Sequence, residues 1–217
     1  MKRILIAGAS GLIGQQTAEF LASDGAEVHA VVRRQSSELP ATIKQHVGPS
    51  EDWPAIIAGL NPFIAISCLG TTMRIAGSRD AFRAVDYDLV LALAKAARDA
   101  GARHMISVSS VGAMPASSSF YLRTKAEAEA GLRKLKFDRL DIMRPGLLTG
   151  GSRADSRPGE SLGILLAPFT DLVMLGPLGK YRSTPSAKIA RAIAALVAGG
   201  GQGMFIHEND EINALAG

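Results

Sequence analysis

Short apolar runs alternate with longer stretches whose apolar positions recur every three or four residues, and this alternation continues along most of the chain. Ile4-Leu5-Ile6-Ala7 is the first run, and residues 12–23 follow it with Ile13, Thr17, Phe20 and Leu21 on one helical face. Glu27-Val28-His29-Ala30-Val31-Val32 reads as a second strand. A weaker strand at Lys44–Val47 precedes a short helix near Asp52–Leu60. Phe63-Ile64-Ala65-Ile66-Ser67-Cys68 is apolar on both faces, as a buried parallel strand is. Residues 79–100 predict a long alanine-rich helix closed by Gly101. A strand at His104–Ser109, a helix at Phe120–Lys136 and a strand at Asp138–Met143, stopped by Pro145-Gly146, complete the series. Strands and helices joined by short loops predict an α/β fold with a doubly wound parallel sheet. Right-handed crossovers then align the strand C-termini along one edge, where ligands of such sheets bind.

From Leu147 the alternation breaks. Residues 150–160 are rich in turn formers, and an apolar helix is expected near 161–175. Thr184-Pro185-Ser186 starts a last long helix to about Ala198, Gly203-Met204-Phe205-Ile206-His207 reads as a last strand, and the tail as a short helix. The organisation expected is one domain over residues 1–217, with a small C-terminal helical cap, 147–185, acting as a lid on the substrate side.

The length of 217 residues with 47% hydrophobic and 20% charged positions suits one globular domain with a full core. The net charge of +4 comes from scattered residues, and only 5% of positions are aromatic, which favours a small anionic ligand over nucleic acid. The single cysteine, Cys68, excludes an intrachain disulfide and fits a reducing cytoplasm. The first apolar run is cut by Gly8, Ser10 and Gly11 too early for a signal peptide. The apolar stretch from Leu162 to Leu175 carries Pro168 and Asp171 and is too short to span a bilayer. A soluble cytoplasmic protein without membrane contact is expected.

The chemistry gathers at the strand ends. Gly8-Ala9-Ser10-Gly11-Leu12-Ile13-Gly14 lies between the first strand and helix; glycines there permit a tight turn and let a pyrophosphate rest on the amides of a helix N-terminus. Arg33-Arg34 ends the second strand where a dinucleotide fold ordinarily places a carboxylate for the ribose 2′-hydroxyl; guanidinium groups there favour a 2′-phosphate. The cofactor expected is NADP, with NADPH preferred over NADH. Ser109-Ser110 ends the fifth strand, and Tyr121 and Lys125 stand one turn apart on the next helix. An ammonium beside a phenol lowers its pKa toward neutrality, so Tyr121 can carry a proton with Lys125 as helper while a serine hydroxyl orients a carbonyl. Ser109 and Ser110 both suit the spacing, and the strand-end position favours Ser110. Cys68 reads as a packed hydrophobe, and His29, His46, His104 and His207 lack metal-ligand spacing and are expected at strand ends or surfaces. Asp86 and Asp88 read as solvated or hydrogen-bonded. Arg74, Arg153 and Arg157 read equally as solvated loop residues and as contacts for a substrate anion.

These segments resemble a family. GASGLIG, VRR, CLGTT, FRAVDYD, SSVGA, SSSFYLRTKAEAEA, LKFDRLDIMRPGLL and SRPGE are similar to the atypical short-chain dehydrogenases/reductases, in particular the subgroup containing the Tat-interacting protein of vertebrates. The resemblance implies an NADP-binding Rossmann fold with Tyr121 as proton donor and acceptor and Lys125 as its helper. It further implies that Cys68-Leu69-Gly70-Thr71-Thr72 passes beside the cofactor and that Pro145-Gly146-Leu147-Leu148 lines its nicotinamide end. The function expected is oxidoreduction of a small carbonyl or hydroxyl compound. The alternative is an NADPH-binding regulator without turnover. Charges on both long helices point to a weak homodimer or a monomer.

Overall fold

A computed structural model describes residues 2–146, 148–149 and 182–217. Its strands in chain order are β1 (Arg3–Ala7), β2 (Glu27–Val32), β3 (Lys44–Val47), β4 (Ile64–Ser67), β5 (His104–Val108), β6 (Arg139–Met143), β7 (Leu148–Thr149), β8 (Thr184–Pro185) and β9 (Gly203–His207). The helices are α1 (Leu12–Ser23), α2 (Trp53–Leu60), α3 (Met73–Ala76), α4 (Arg79–Arg83), α5 (Val90–Asp99), α6 (Phe120–Lys134), α7 (Ser186–Ala198) and α8 (Asn209–Ala216). The main sheet runs β3-β2-β1-β4-β5-β6-β9 with every pair parallel. The doubly wound parallel sheet expected from the alternation is therefore present. The chain leaves β1 toward β2 and later returns to its other side at β4, which opens the ligand crevice at the C-terminal ends of β1 and β4.

Both faces of the sheet are buried, which is why the strands read as nearly continuous apolar runs. Ile4, Ile6, Ile64, Ile66, Ile106 and Met143 pack against α1 and α7. Leu5, Ala7, Ala65, Met105 and Ile142 face α2, α5 and Leu132 of α6. Trp53 is buried in this second layer with its indole N–H donating to the Gly48 carbonyl at 3.1 Å.

The long helix expected over 79–100 is continuous in direction but not in pitch. Between α4 and α5 the residues Ala84–Leu89 form a π turn. Such an insertion rotates the following residues relative to a regular helix, and it is frequent at functional sites. Ser78 caps the start by accepting from the Ala81 N–H at 3.1 Å, and Gly101 takes φ +99° past the end.

The ends of the 147–185 segment are tied together, since β7 and β8 pair in parallel. Residues 150–181, with the expected turn-rich stretch, apolar helix, Arg153 and Arg157, lie outside the described residues, as does Leu147.

The histidines were expected at strand ends or surfaces: His104 opens β5 and His207 closes β9, whereas His29 lies inside β2. His29 and His104 are each only 6% exposed. His104, His207 and Arg139 all hydrogen-bond the fully buried Asp141, at 2.6, 2.7 and 2.6 Å. Burial alone would raise the Asp141 carboxyl, but these three donors outweigh it and hold the group well below the usual carboxylate range. On the other edge His29 Nδ1 lies 2.9 Å from His46 Nε2, so one ring must donate while the other accepts. Burial, then the His29 ring, then Lys44 lower the His46 pKa from its ordinary 6.5. The unfolded chain accepts a proton at His46 below that value and the folded protein resists it, so this contribution to stability is present above pH 6.5 and is lost as pH falls. Denaturant midpoints measured from neutral pH to about pH 5 should therefore fall less steeply for His46→Gln than for the unmodified protein. Parallel pH profiles would exclude the pair as a source of acid sensitivity.

Candidate functional site

The glycine turn is built by close approach. Gly8 adopts φ +81°, and a Cβ there would stand 2.5 Å from the Cys68 carbonyl. A Cβ on Gly14 would stand 2.1 Å from the Gly8 carbonyl oxygen. Any side chain at either position would push α1 or the turn off the end of β4. Gly11 donates its N–H to the Gly8 carbonyl at 2.9 Å and caps α1 without a side-chain bond. The first-turn amides of Leu12, Ile13 and Gly14 thus lack a capping side chain and form an anion-binding end, with Ser10 exposed beside them. Arg33 and Arg34 are exposed just past β2 and have no ion-pair or hydrogen-bond partner among the described residues. The cradle fits a dinucleotide: close-packed glycine backbone for a pyrophosphate, and uncommitted cations at the neighbouring strand end.

The next strand end supplies the opposite wall. Cys68 and Leu69 are half-buried; burial of the Cys68 thiol pushes its pKa up to about 12, consistent with a packed, unreactive group. Gly70 lies over a buried ion pair, where its Cβ would meet Asp86 Oδ1 at 3.5 Å and Lys125 Nζ at 3.7 Å. Thr71 donates its N–H to Asp86 Oδ2 at 2.8 Å, and Thr72 caps α3 by accepting from Ile75.

Asp86 sits in the π turn and is 1% exposed. The Lys125 ammonium approaches its Oδ1 to 2.8 Å, as an ion pair and not as a well-directed hydrogen bond, so this oxygen keeps an unused acceptor direction. Of the two readings of Asp86, solvated or hydrogen-bonded, the second holds: burial would not tolerate the carboxylate without its counter-ion and the Thr71 amide. Lys125 is correspondingly committed. No hydrogen bond joins it to Tyr121, whose half-buried ring packs on Phe82 with centroids 5.6 Å apart.

The two serines separate sharply. Ser109 is buried and donates to Glu129 Oε1 at 2.6 Å, and Arg144 grips the same carboxylate at 2.9 and 2.5 Å. The Glu129 bonds hold the Arg144 guanidinium above its ordinary range. Ser110 is half-buried and donates only weakly, to the Val111 carbonyl at 3.3 Å. The loop after Ser110 is joined to β6 through the Val111 N–H and the carbonyl of buried Pro145, at 3.0 Å. Gly146 is half-buried and Leu148 is 43% exposed. A cavity of about 10 Å³ lies between Asp86, Ser107, Ser109, Lys125 and Glu129, too small for any substrate. Sequence reasoning missed Asp86 and Glu129. Glu129 carried a signal, since it stands one turn past Lys125; Asp86 carried none in its periodicity, because the π turn is invisible there.

A family model described as NAD(P)H-binding matches residues 8–198. The protein fmp52, mitochondrial, of Emericella nidulans is 35% identical over 193 residues, which cover 85% of this chain and 79% of that protein. The protein HTATIP2 of Rattus norvegicus is 48% identical over 99 residues, covering 46% of this chain and 40% of that protein. Among solved structures, the Bordetella bronchiseptica enzyme WbmH in complex with NAD+ superposes with a TM-score of 0.72 at 17% identity, over 96% of this chain and 76% of that one. UDP-glucose 4-epimerase of Thermotoga maritima, with UDP-glucose, gives 0.73 at 16% identity, over 99% and 80%. The last two establish the fold. The fungal relatives, including those of Lodderomyces elongisporus and Candida albicans, are named mitochondrial, which overturns the cytoplasmic expectation. Its physical basis was too weak: a lone cysteine forbids an intrachain disulfide in every compartment alike. Among the described residues no helix is long and apolar enough to cross a membrane.

Removing one member of a buried ion pair strands the other. Asp86→Ala should lower the free energy of unfolding by about 3 to 5 kcal/mol, measured by chemical denaturation, because Lys125 would be left buried without its counter-ion. A loss below about 1 kcal/mol, the range of exposed pairs, would mean that the pair is solvated in solution.

Proposed function

The chain belongs to the NAD(P)H-binding family, among the atypical short-chain dehydrogenases/reductases, and from that premise we propose that it is an NADP(H)-dependent oxidoreductase of a small carbonyl or hydroxyl compound. The observation that carries the choice of NADP is the pair of exposed guanidiniums, Arg33 and Arg34, beside the glycine turn and without a partner among the described residues. A bound nicotinamide supplies or accepts the hydride. Tyr121 gives or takes the proton at the substrate oxygen, and Ser110 orients that oxygen. Ser109 acts on the protein itself, since its hydroxyl is engaged with Glu129 and fixes the strand end from which Ser110 projects. Residues 1–217 act as one domain. A second reading, a dinucleotide-dependent regulator, is favoured by one feature. Lys125 is neutralised by Asp86, and no hydrogen bond links it to the Tyr121 phenol.

Titration calorimetry should find NADPH bound about ten- to a hundredfold more tightly than NADH, a gap that narrows as salt rises and closes or reverses in Arg33→Asp. Equal affinities in the unmodified protein would remove the assignment to NADP and leave the dinucleotide fold intact.

With a panel of carbonyl substrates, Tyr121→Phe should retain cofactor affinity while losing roughly a hundredfold or more in turnover. Ser110→Ala should lose turnover at unchanged stability, whereas Ser109→Ala should chiefly lower stability. Cofactor binding with no turnover on any substrate would favour the regulator.

A further inference from the structure

The two edges of the main sheet are finished differently. β3 presents Lys44, Gln45 and His46, and Gln45 exchanges hydrogen bonds with the backbone of Ser36 at 2.8 and 2.9 Å. Charge and a crossing loop are the usual ways of blunting an edge against pairing. β9 has neither. Met204, Phe205 and Ile206 stand in a row at 40, 39 and 37% exposure, and no charged side chain lies within the strand.

This bare edge is held firmly. The Gly203 N–H donates to the Asp138 carbonyl at 2.9 Å, and the Arg144 N–H donates to the His207 carbonyl at 2.8 Å. His207 bonds the buried Asp141, and the Phe205 ring lies 5.4 Å from the Arg139 guanidinium. In a parallel ladder alternate residues direct both backbone groups to one neighbour. Gly203, Phe205 and His207 face β6, so Met204 and Ile206 turn their N–H and C=O outward. The outward groups are symmetric about Phe205.

We propose that β9 is a docking edge for β9 of a second copy of this chain, antiparallel about a two-fold axis through Phe205, which joins the two main sheets into one. This goes beyond the oxidoreductase reading and does not depend on it. Under that axis Met204 of each copy meets Ile206 of the other as a hydrogen-bonded pair, and the two Phe205 residues form a close pair without hydrogen bonds. Charge selects the same arrangement. Arg133 lies on Met204, its Nε 3.2 Å from the sulfur, and alternation puts Glu208 on that same face just beyond Ile206. Both side chains are partly exposed, at 44 and 31%, and their ion contacts within the chain are long, Arg133 to Glu129 at 3.7 Å and Glu208 to Arg144 at 4.0 Å. Antiparallel pairing brings Arg133 of each copy toward Glu208 of the other. A strand from an unrelated protein would satisfy the backbone but would match this reciprocal charge pattern only by chance. A self-complementary patch of this kind is what a two-fold dimer requires.

The experiment is cross-linking with a sedimentation control. Phe205→Cys should form a covalent dimer under mild oxidation, because a non-hydrogen-bonded antiparallel pair lies within disulfide reach. The native Cys68, half-buried and with its thiol pushed up to about 12, should not compete. Met204→Cys should not cross-link, since its symmetry mate lies diagonally, roughly 7 to 8 Å away. The unmodified chain should sediment as a concentration-dependent dimer, and Ile206→Lys should weaken that association about tenfold or more by setting a charge on the edge. A monomer at every concentration would overturn the proposal. So would a dimer indifferent to Ile206→Lys, or equal cross-linking through Met204→Cys. The sedimentation of the unmodified chain decides the matter even if a cysteine variant folds poorly.

Discussion

A carboxylate and an ammonium taken out of water together set the geometry around which the ligand edge is arranged. Asp86 and Lys125 come from helices that pack on the same face of the sheet, and neither charge could remain buried without the other. Asp86 also accepts the Thr71 amide, so the loop leaving β4 is drawn onto the same pair. The consequence is positional. With Lys125 anchored, the register of α6 is fixed, and Tyr121, one turn earlier, is held against Phe82 at the open side. The π turn is what makes this possible, because the added residue swings Asp86 inward while Asp88 remains exposed. An ion pair of this kind gains little over a well-packed apolar substitute; what it contributes is one allowed arrangement.

The cofactor side obeys a different constraint, steric and not electrostatic. Gly8 and Gly14 stand so near the Cys68 carbonyl and the Gly8 carbonyl that the turn has one available path. That path aims the free amides of α1 at the crevice between β1 and β4, and the sheet order places Arg33 and Arg34 on the neighbouring strand end. The exposed cations and the buried ion pair are thereby kept on opposite sides of β4.

Legibility in the sequence followed this division. The strands and helices were readable because each face of a parallel sheet needs an apolar run, and a run interrupted by glycine marks its own end. The glycine turn, the arginine pair and the Tyr121–Lys125 spacing are local in sequence and could be read directly. Asp86 could not, since its partner lies on another helix and a π turn leaves no trace in a 3.6-residue period. The contacts of the histidines were hidden for the same reason: His104 and His207 stand at strand ends, as expected, but meet through Asp141, which strand pairing alone brings between them. Ser109 and Ser110 differ by one position, yet the Ser109 hydroxyl is engaged by buried Glu129 and the Ser110 hydroxyl only by the Val111 carbonyl, a difference that spacing could not reveal.

Arg144 shows how far the site extends beyond the residues that face it. Its guanidinium holds Glu129, which holds Ser109, while its backbone N–H holds the carbonyl of His207 in β9. Glu208, at 4.0 Å from the same guanidinium, caps α8. One arginine therefore joins the serine strand end to the outermost strand of the sheet. Displacing β9 would require Arg144 to give up either its backbone bond or its grip on Glu129, and either loss leaves a buried polar group short of a partner. The exposed edge is for that reason as well ordered as the centre of the site. That order argues against reading its apolar row as a frayed end, because a strand held this firmly presents the same backbone pattern to whatever meets it.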